Sequence, residues 1–208
     1  MSKNNNLINT LHNPLKIGIL GSTKGTSMQP IIDAINSNNL DAEIVIVISN
    51  KEDSGILERA HNHNIHNKYI SPYNSNSKRK KNIDFDAEVT NTLRSHEVQL
   101  VLMIGYMRIV SKEFCEEWKN RCLNVHPSLL PDFAKEMDLE VHSSVIKSGK
   151  TITGCTIHFV TEDVDGGPIL YQEQCIVKQD DTPESLKKRV QILEGNAFIW
   201  AIKNYSNY

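Results

Sequence analysis

Short apolar runs alternate with amphipathic stretches along most of this chain, and the alternation predicts its elements. Residues 15–22 (LKIGILGS) read as a buried strand, and 26–39 (TSMQPIIDAINSNN) as the helix that follows. A second strand is expected over 42–49 (AEIVIVIS), a helix over 54–63 and a short third strand over 66–71. Residues 83–96 carry Ile83, Val89 and Leu93 at helical spacing, after a polar, basic loop at 75–82. The run 98–106 (VQLVLMIGY) is nearly continuous in apolar residues, the pattern of a strand covered on both faces. A short helix at 111–120 then leads into a fifth strand, 121–126 (RCLNVH). Strands alternating with helices predict an α/β fold with a mainly parallel sheet.

The last part of the chain breaks this rhythm. Two strands, 153–160 and 168–177, flank the loop 161–167 (TEDVDGG), which predicts an antiparallel β-hairpin at the C-terminal side of the sheet. A final helix begins with Thr182 as N-cap and Pro183 at its first position, where the missing N–H costs nothing. Its expected core stripe is Leu186, Val190, Leu193, Ala197 and Ala201. No repeat or linker interrupts residues 14–208, which read as a single domain; the Asn-rich residues 1–13 read as a flexible extension.

Composition narrows the function classes. With 208 residues, 39% hydrophobic, 23% charged and a net charge of −2, the chain shows neither the basic surplus of a nucleic-acid binder nor a polybasic membrane anchor. Its apolar runs are too short to span a bilayer, and its start lacks the apolar core of a secretory signal. The cysteines Cys115, Cys122, Cys155 and Cys175 form no CxxC pair, so free thiols in a reducing compartment are expected rather than disulfides or zinc. The expectation is a cytoplasmic protein, monomer or homodimer, acting on small molecules, with no nucleic-acid or membrane partner and no metal.

Candidate chemistry starts at LNVHPSLLP (123–131). Asn124 and His126 are two apart, so in a strand both point to one side, and Pro127 ends the strand there. They face either bulk water or a ligand. The strand-to-helix turn GSTKGTS (21–27), with Gly21 and Gly25, can bring backbone N–H groups close to a phosphate. The second strand ends in Ser49-Asn50 rather than the acid that holds an NAD ribose, which disfavours a nicotinamide cofactor. The strand ends Gly21–Ser27, Gly105–Val110 and Asn124–His126 all belong to the edge that forms the ligand crevice of open α/β sheets. Asp165, in the hairpin loop, supplies a carboxylate that could meet His126 or simply turn the chain.

With these residues in view, the chain resembles the glycinamide ribonucleotide formyltransferases of purine synthesis. The resemblance is carried by NVHPSLLP (124–131), GYMRIVS (105–111), TGCTIHFVTEDVDGGPIL (153–170) and DTPESLKKRVQILEG (181–195), in the family's order, and covers about Leu15 to Trp200. It implies a Rossmann-like formyltransferase fold, the co-substrate 10-formyltetrahydrofolate, and an acceptor amine on 5-phosphoribosylglycinamide. It also implies a catalytic trio of Asn124, His126 and Asp165. In that trio Asn124 and protonated His126 stabilise the tetrahedral intermediate and Asp165 raises the His126 pKa. Gly25, Thr26 and Ser27 would hold the substrate phosphate, with Gln191 and Glu194 on the ribose and glycinamide. Met107, Arg108, Ile109, Val110 and Asn124, with Thr161, Glu162, Asp163, Val164 and Asp165, would line the folate pocket.

The chain also departs from that family. Its phosphate turn has Gly25-Thr26-Ser27 where relatives have Gly-Ser-Asn. The folate-binding Arg of many relatives would fall near Asn82, where this chain has no Arg, so Arg79, Lys80 or Lys81 substitutes or the contact is absent. Lys135 and Glu136 stand where relatives carry small glycines, so that loop is expected to be reshaped or disordered, and His142 matches a family histidine by approximate spacing. The rival readings are a methionyl-tRNA formyltransferase, a formyltetrahydrofolate deformylase-like hydrolase, and a non-catalytic folate- or nucleotide-binding module. The two enzymes ordinarily carry an additional domain that 208 residues leave little room for.

Overall fold

A computed structural model of the chain describes residues 13–205; the expected extension at 1–13 lies, but for Asn13, outside the described residues. The elements run β1 (Leu15–Leu20), α1 (Met28–Asn36), β2 (Ala42–Ser49), α2 (Gly55–Asn62), β3 (Asn67–Tyr69), α3 (Asn82–Ser95) and β4 (Leu100–Met103). They continue with α4 (Lys112–Glu117), β5 (Cys122–His126), α5 (Leu139–Lys147), β6 (Ile152–Phe159), β7 (Ile169–Ile176) and α6 (Pro183–Asn204). The seven strands form one sheet in the order β3-β2-β1-β4-β5-β6-β7. β1 to β5 pair in parallel, whereas β6 runs antiparallel to β5 and β7 antiparallel to β6. This is the α/β architecture expected from the alternation, with the hairpin at its C-terminal side.

Two apolar cores sandwich the sheet. On one face Met28, Ile31, Ile56, Val141, Val190 and Phe198 pack from α1, α2, α5 and α6; on the other, Phe85, Val89, Leu93, Phe114 and Trp118 pack from α3 and its neighbours. Strand order reverses between β1 and β4, so the crossover helices diverge there and leave a crevice at the strands' carboxyl ends. Among the described residues no helix is long and apolar enough to cross a membrane.

Thr182 caps α6 as expected: its side chain accepts the Ser185 N–H while Ser185 Oγ accepts the Thr182 N–H. Gly195 lets α6 approach α1 closely, because a Cβ there would sit 2.5 Å from Pro30 Cγ. The helix is turned slightly from its expected stripe. Phe198, Ile202 and Glu194 are buried, while Leu193 is only partly covered. Ile83 also departs from expectation: it is 44% exposed in the first turn of α3, and Phe85 takes its place in the core. Helix α5 has no counterpart among the expected elements. It buries only Val141, His142 and Val145 over nine residues, too few apolar positions to register as a period.

Candidate active site

The carboxyl ends of β1, β4 and β5 open into one cleft of about 1210 Å³, closed on its far side by α6 and by the β5–α5 loop. The strand ends are tied together. Ser22 Oγ accepts the Met107 N–H at 2.9 Å and donates to Asn50 Oδ1 at 2.6 Å, and the Ser22 N–H donates to the Gly105 carbonyl at 3.0 Å. At the entrance to α1, Gly25 adopts φ +62, and a Cβ there would meet Ile56 Cγ1 at 2.4 Å. Only glycine holds this turn without strain or displacement of α2.

Period-two alternation places Asn124 and His126 on the same side of β5, and antiparallel pairing sets Asn124 opposite His158 of β6. Asn124 Nδ2 lies 3.2 Å from His158 Nε2. The hairpin loop folds back so that Asp165 faces both rings: its Oδ2 is 3.3 Å from His126 Nδ1 and its Oδ1 is 3.6 Å from His158 Nε2. Asp165 reaches this position at φ +58, an uncommon left-handed conformation for a non-glycine residue. Burial alone would raise its carboxyl, but its contacts with His126 and His158, the His126 charge and the Lys135 N–H hold it far below the usual carboxylate range.

The β5–α5 loop closes over this pair. Its Phe133 carbonyl sits 3.0 Å from His126 Nε2, and its Lys135 N–H donates to Asp165 Oδ2 at 2.9 Å. Phe133, Lys135 and Asp138 of this loop all take positive φ. Behind it, Thr156 Oγ1 donates to the Ser128 carbonyl at 2.7 Å and accepts the Leu130 N–H at 2.9 Å, fixing the chain just after His126. Oxygen atoms thus face both ring nitrogens of His126.

On the α6 side, Ser27 Oγ donates to Glu194 Oε2 and joins the start of α1 to the middle of α6. Burial raises the Glu194 carboxyl, opposed by that hydrogen bond and by the charges of Lys187 and His126. Lys187 pairs with Asp138. His142 is 1% exposed, and burial pushes it from 6.5 down to about 4; the Lys187 charge adds to this, Asp138 opposes it and His126 adds again. Between those values the unfolded chain binds a proton that the folded chain refuses. Stability is therefore expected to fall as pH drops from about 6.5 toward 4, by up to about 3 kcal/mol. Urea unfolding at a series of pH values should show this slope, and His142→Asn should flatten it; an equal slope in both proteins would place the titration elsewhere.

The cleft brings together most of the residues singled out from the sequence. Thr26, Ser27, Asn124, His126, Gln191 and Glu194 border it. So do the segment Met107–Val110 and, in the hairpin loop, Thr161, Asp163, Val164 and Asp165. Two do not. Gly25 shapes its turn from beneath, against Ile56, and Glu162 lies 3.8 Å from Lys112 Nζ, away from the cleft. Of the basic residues weighed near Asn82, Arg79 borders the cleft, whereas Lys80 pairs with Glu88 and Lys81 caps α3. Asn82 itself accepts a hydrogen bond from Arg108 at 3.1 Å, and the Arg108 guanidinium lies 4.0 Å from the centre of the Phe85 ring. His158 and Lys187 were not anticipated. The alternation in TIHF assigns His158 a face, but only the β5–β6 register puts it beside Asn124. Among the described residues no group of three His, Cys, Asp or Glu side chains could hold a metal ion.

Comparison with known proteins gives a consistent picture. Residues 15–202 match the formyl transferase family. The human trifunctional purine biosynthetic protein adenosine-3 is 38% identical over 189 residues, which is 90% of this chain but 18% of that protein. This chain therefore spans less than a fifth of the length of that multifunctional relative. The phosphoribosylglycinamide formyltransferase of Haemophilus influenzae is 35% identical over 188 residues, covering 90% of this chain and 85% of the other. The crystal structure of glycinamide ribonucleotide transformylase 1 from Symbiobacterium toebii superposes with a TM-score of 0.84 at 34% identity, over 99% of this chain and 93% of that one.

Proposed function

The chain belongs to the formyl transferase family, and from that premise we propose that it moves the formyl group of 10-formyltetrahydrofolate onto the amine of 5-phosphoribosylglycinamide, in purine biosynthesis. The observation that carries this reading is the Asn124–His126–Asp165 arrangement, built around a buried His126, in a cleft that also holds an anion-ready helix entrance and a polar face of α6. The acceptor phosphate rests on the 25–27 turn at the N-terminus of α1. Backbone N–H groups and Thr26 meet it there, since the Ser27 hydroxyl is engaged with Glu194. Gln191 and Glu194, nearly one helical turn apart, face the ribosylglycinamide. The pterin lies against Met107–Val110 and the 161–165 loop.

Attack of the neutral amine on the formyl carbon forms a tetrahedral oxyanion, which the Asn124 amide and the His126 imidazolium stabilise with N–H donors. Asp165, ionised, accepts from His126 Nδ1 and fixes the ring, so that Nε2 meets the reacting centre once the Phe133 carbonyl of the loop gives way. Collapse breaks the bond from carbon to the folate nitrogen as His126 delivers a proton to that nitrogen. The acceptor nitrogen releases its extra proton, which restores the imidazolium. Small soluble substrates and a slightly acidic chain accord with work in the cytoplasm.

Hydrolysis of the donor is the second reading, and the helix entrance and α6 face argue against it, because water needs neither. One assay separates the readings. Purified protein with 10-formyltetrahydrofolate should turn over when glycinamide ribonucleotide is present and release little formate without it. Equal formate release with and without the acceptor would make the protein a deformylase; donor binding with no turnover would make it a binding module.

A further inference from the structure

We propose that His142 is a contact for the acceptor substrate, accepting a hydrogen bond from the amine that attacks the formyl carbon. This rests on the formyl-transfer reading above. His142 projects from α5, borders the cleft and is 1% exposed, yet its Nδ1 has no hydrogen-bond partner among the described residues. A buried polar atom left unpaired costs on the order of 1–3 kcal/mol, so such an atom beside a ligand cleft points to a partner that arrives with the ligand. No other histidine among the described residues has a buried ring nitrogen in this state.

Its surroundings select the partner. The charges that act on His142 are Lys187 and Asp138, which pair with each other, and His126. Lys187 and His126 also act on Glu194, so His142 shares its corner of the cleft with the α6 face assigned to the acceptor. The donor's expected contacts lie on other segments, Met107–Val110 and the hairpin loop. A neutral imidazole offers a lone pair at one nitrogen. An N–H donated to Nδ1 would then orient the amine's own lone pair toward the formyl carbon. His142 takes no proton in this scheme; it binds and orients.

The test compares His142→Leu, which removes the polar atoms at similar bulk, with His142→Asn, which restores one near the Nδ1 position. His142→Leu should raise the acceptor KM by about tenfold or more, the equivalent of about 1.4 kcal/mol, and leave the donor KM within about twofold. His142→Asn should recover most of the loss. An acceptor KM unchanged in His142→Leu, or both KM values rising together, would overturn the proposal. Should His142→Leu fail to fold, His142→Gln replaces it: its polar end reaches the Nε2 position instead, and equal acceptor KM values for the Asn and Gln variants would overturn the proposal. A wild-type protein inert toward glycinamide ribonucleotide would instead sink the functional reading on which this inference stands.

Discussion

Replacing Asp165 by Asn is expected to lower kcat at least about tenfold while changing either KM far less. The carboxylate has two oxygens: Oδ2 accepts the Lys135 N–H and faces the His126 ring, and Oδ1 faces the His158 ring. An amide offers one acceptor oxygen and presents N–H groups where the second oxygen stood, so at least one of these partners is left facing a donor. The negative charge opposite His126 also disappears, and with it the attraction that favours the charged ring. On the proposed mechanism both losses act on the transition state, where the imidazolium stabilises an oxyanion and then releases a proton. A purely structural role for Asp165 would leave kcat near normal once the folded fraction is accounted for. Steady-state kinetics alongside a melting curve distinguish the two, and a folded variant with near-normal kcat would return Asp165 to the role of a turn residue.

Gly25→Val is expected to raise the acceptor KM by more than about tenfold and to leave the folate KM nearly unchanged. Valine at φ +62 is a strained, β-branched residue in the left-handed region, at a cost of roughly 1–2 kcal/mol or more. Its Cβ would lie 2.4 Å from Ile56 Cγ1, so the turn or α2 must move. Either movement displaces the N–H groups at the entrance to α1, which the acceptor phosphate needs within hydrogen-bond reach. The folate contacts lie on other loops and should be spared. Equal rises in both KM values would show that the turn serves the whole cleft rather than the phosphate.

How much of this was legible beforehand varies by element. β1, β2 and β4 stand out because strands covered on both faces need unbroken apolar runs, and the C-terminal hairpin stands out because its two strands flank a short glycine-containing loop. Asn124 and His126 could be placed on one side of β5 from parity alone. Asp165 could not be placed by pattern: its position beside His126 depends on how the loop folds back and on a left-handed backbone conformation that an aspartate tolerates but does not dictate. His158 needed the strand register, which periodicity does not supply. α5 escaped notice because its short buried stripe includes a histidine, and polar residues count against a core face. Ile83 misled for the opposite reason, an apolar residue at an exposed first turn.

The loop carbonyl of Phe133 against His126 Nε2 has a thermodynamic corollary. On the proposed mechanism this nitrogen meets the reacting formyl group, and the Phe133 carbonyl already satisfies it, so any ligand that takes it displaces a hydrogen bond whose net worth is roughly 0.5–1.5 kcal/mol. That cost falls on ligands that engage His126 and not on those that occupy the cleft while leaving the loop seated. Loop closure and ring availability thus form a single equilibrium. A non-reactive analogue that spares the Phe133 contact should bind more tightly than its cleft contacts alone would suggest relative to the substrate, and it should protect the loop amides from hydrogen exchange as it does so.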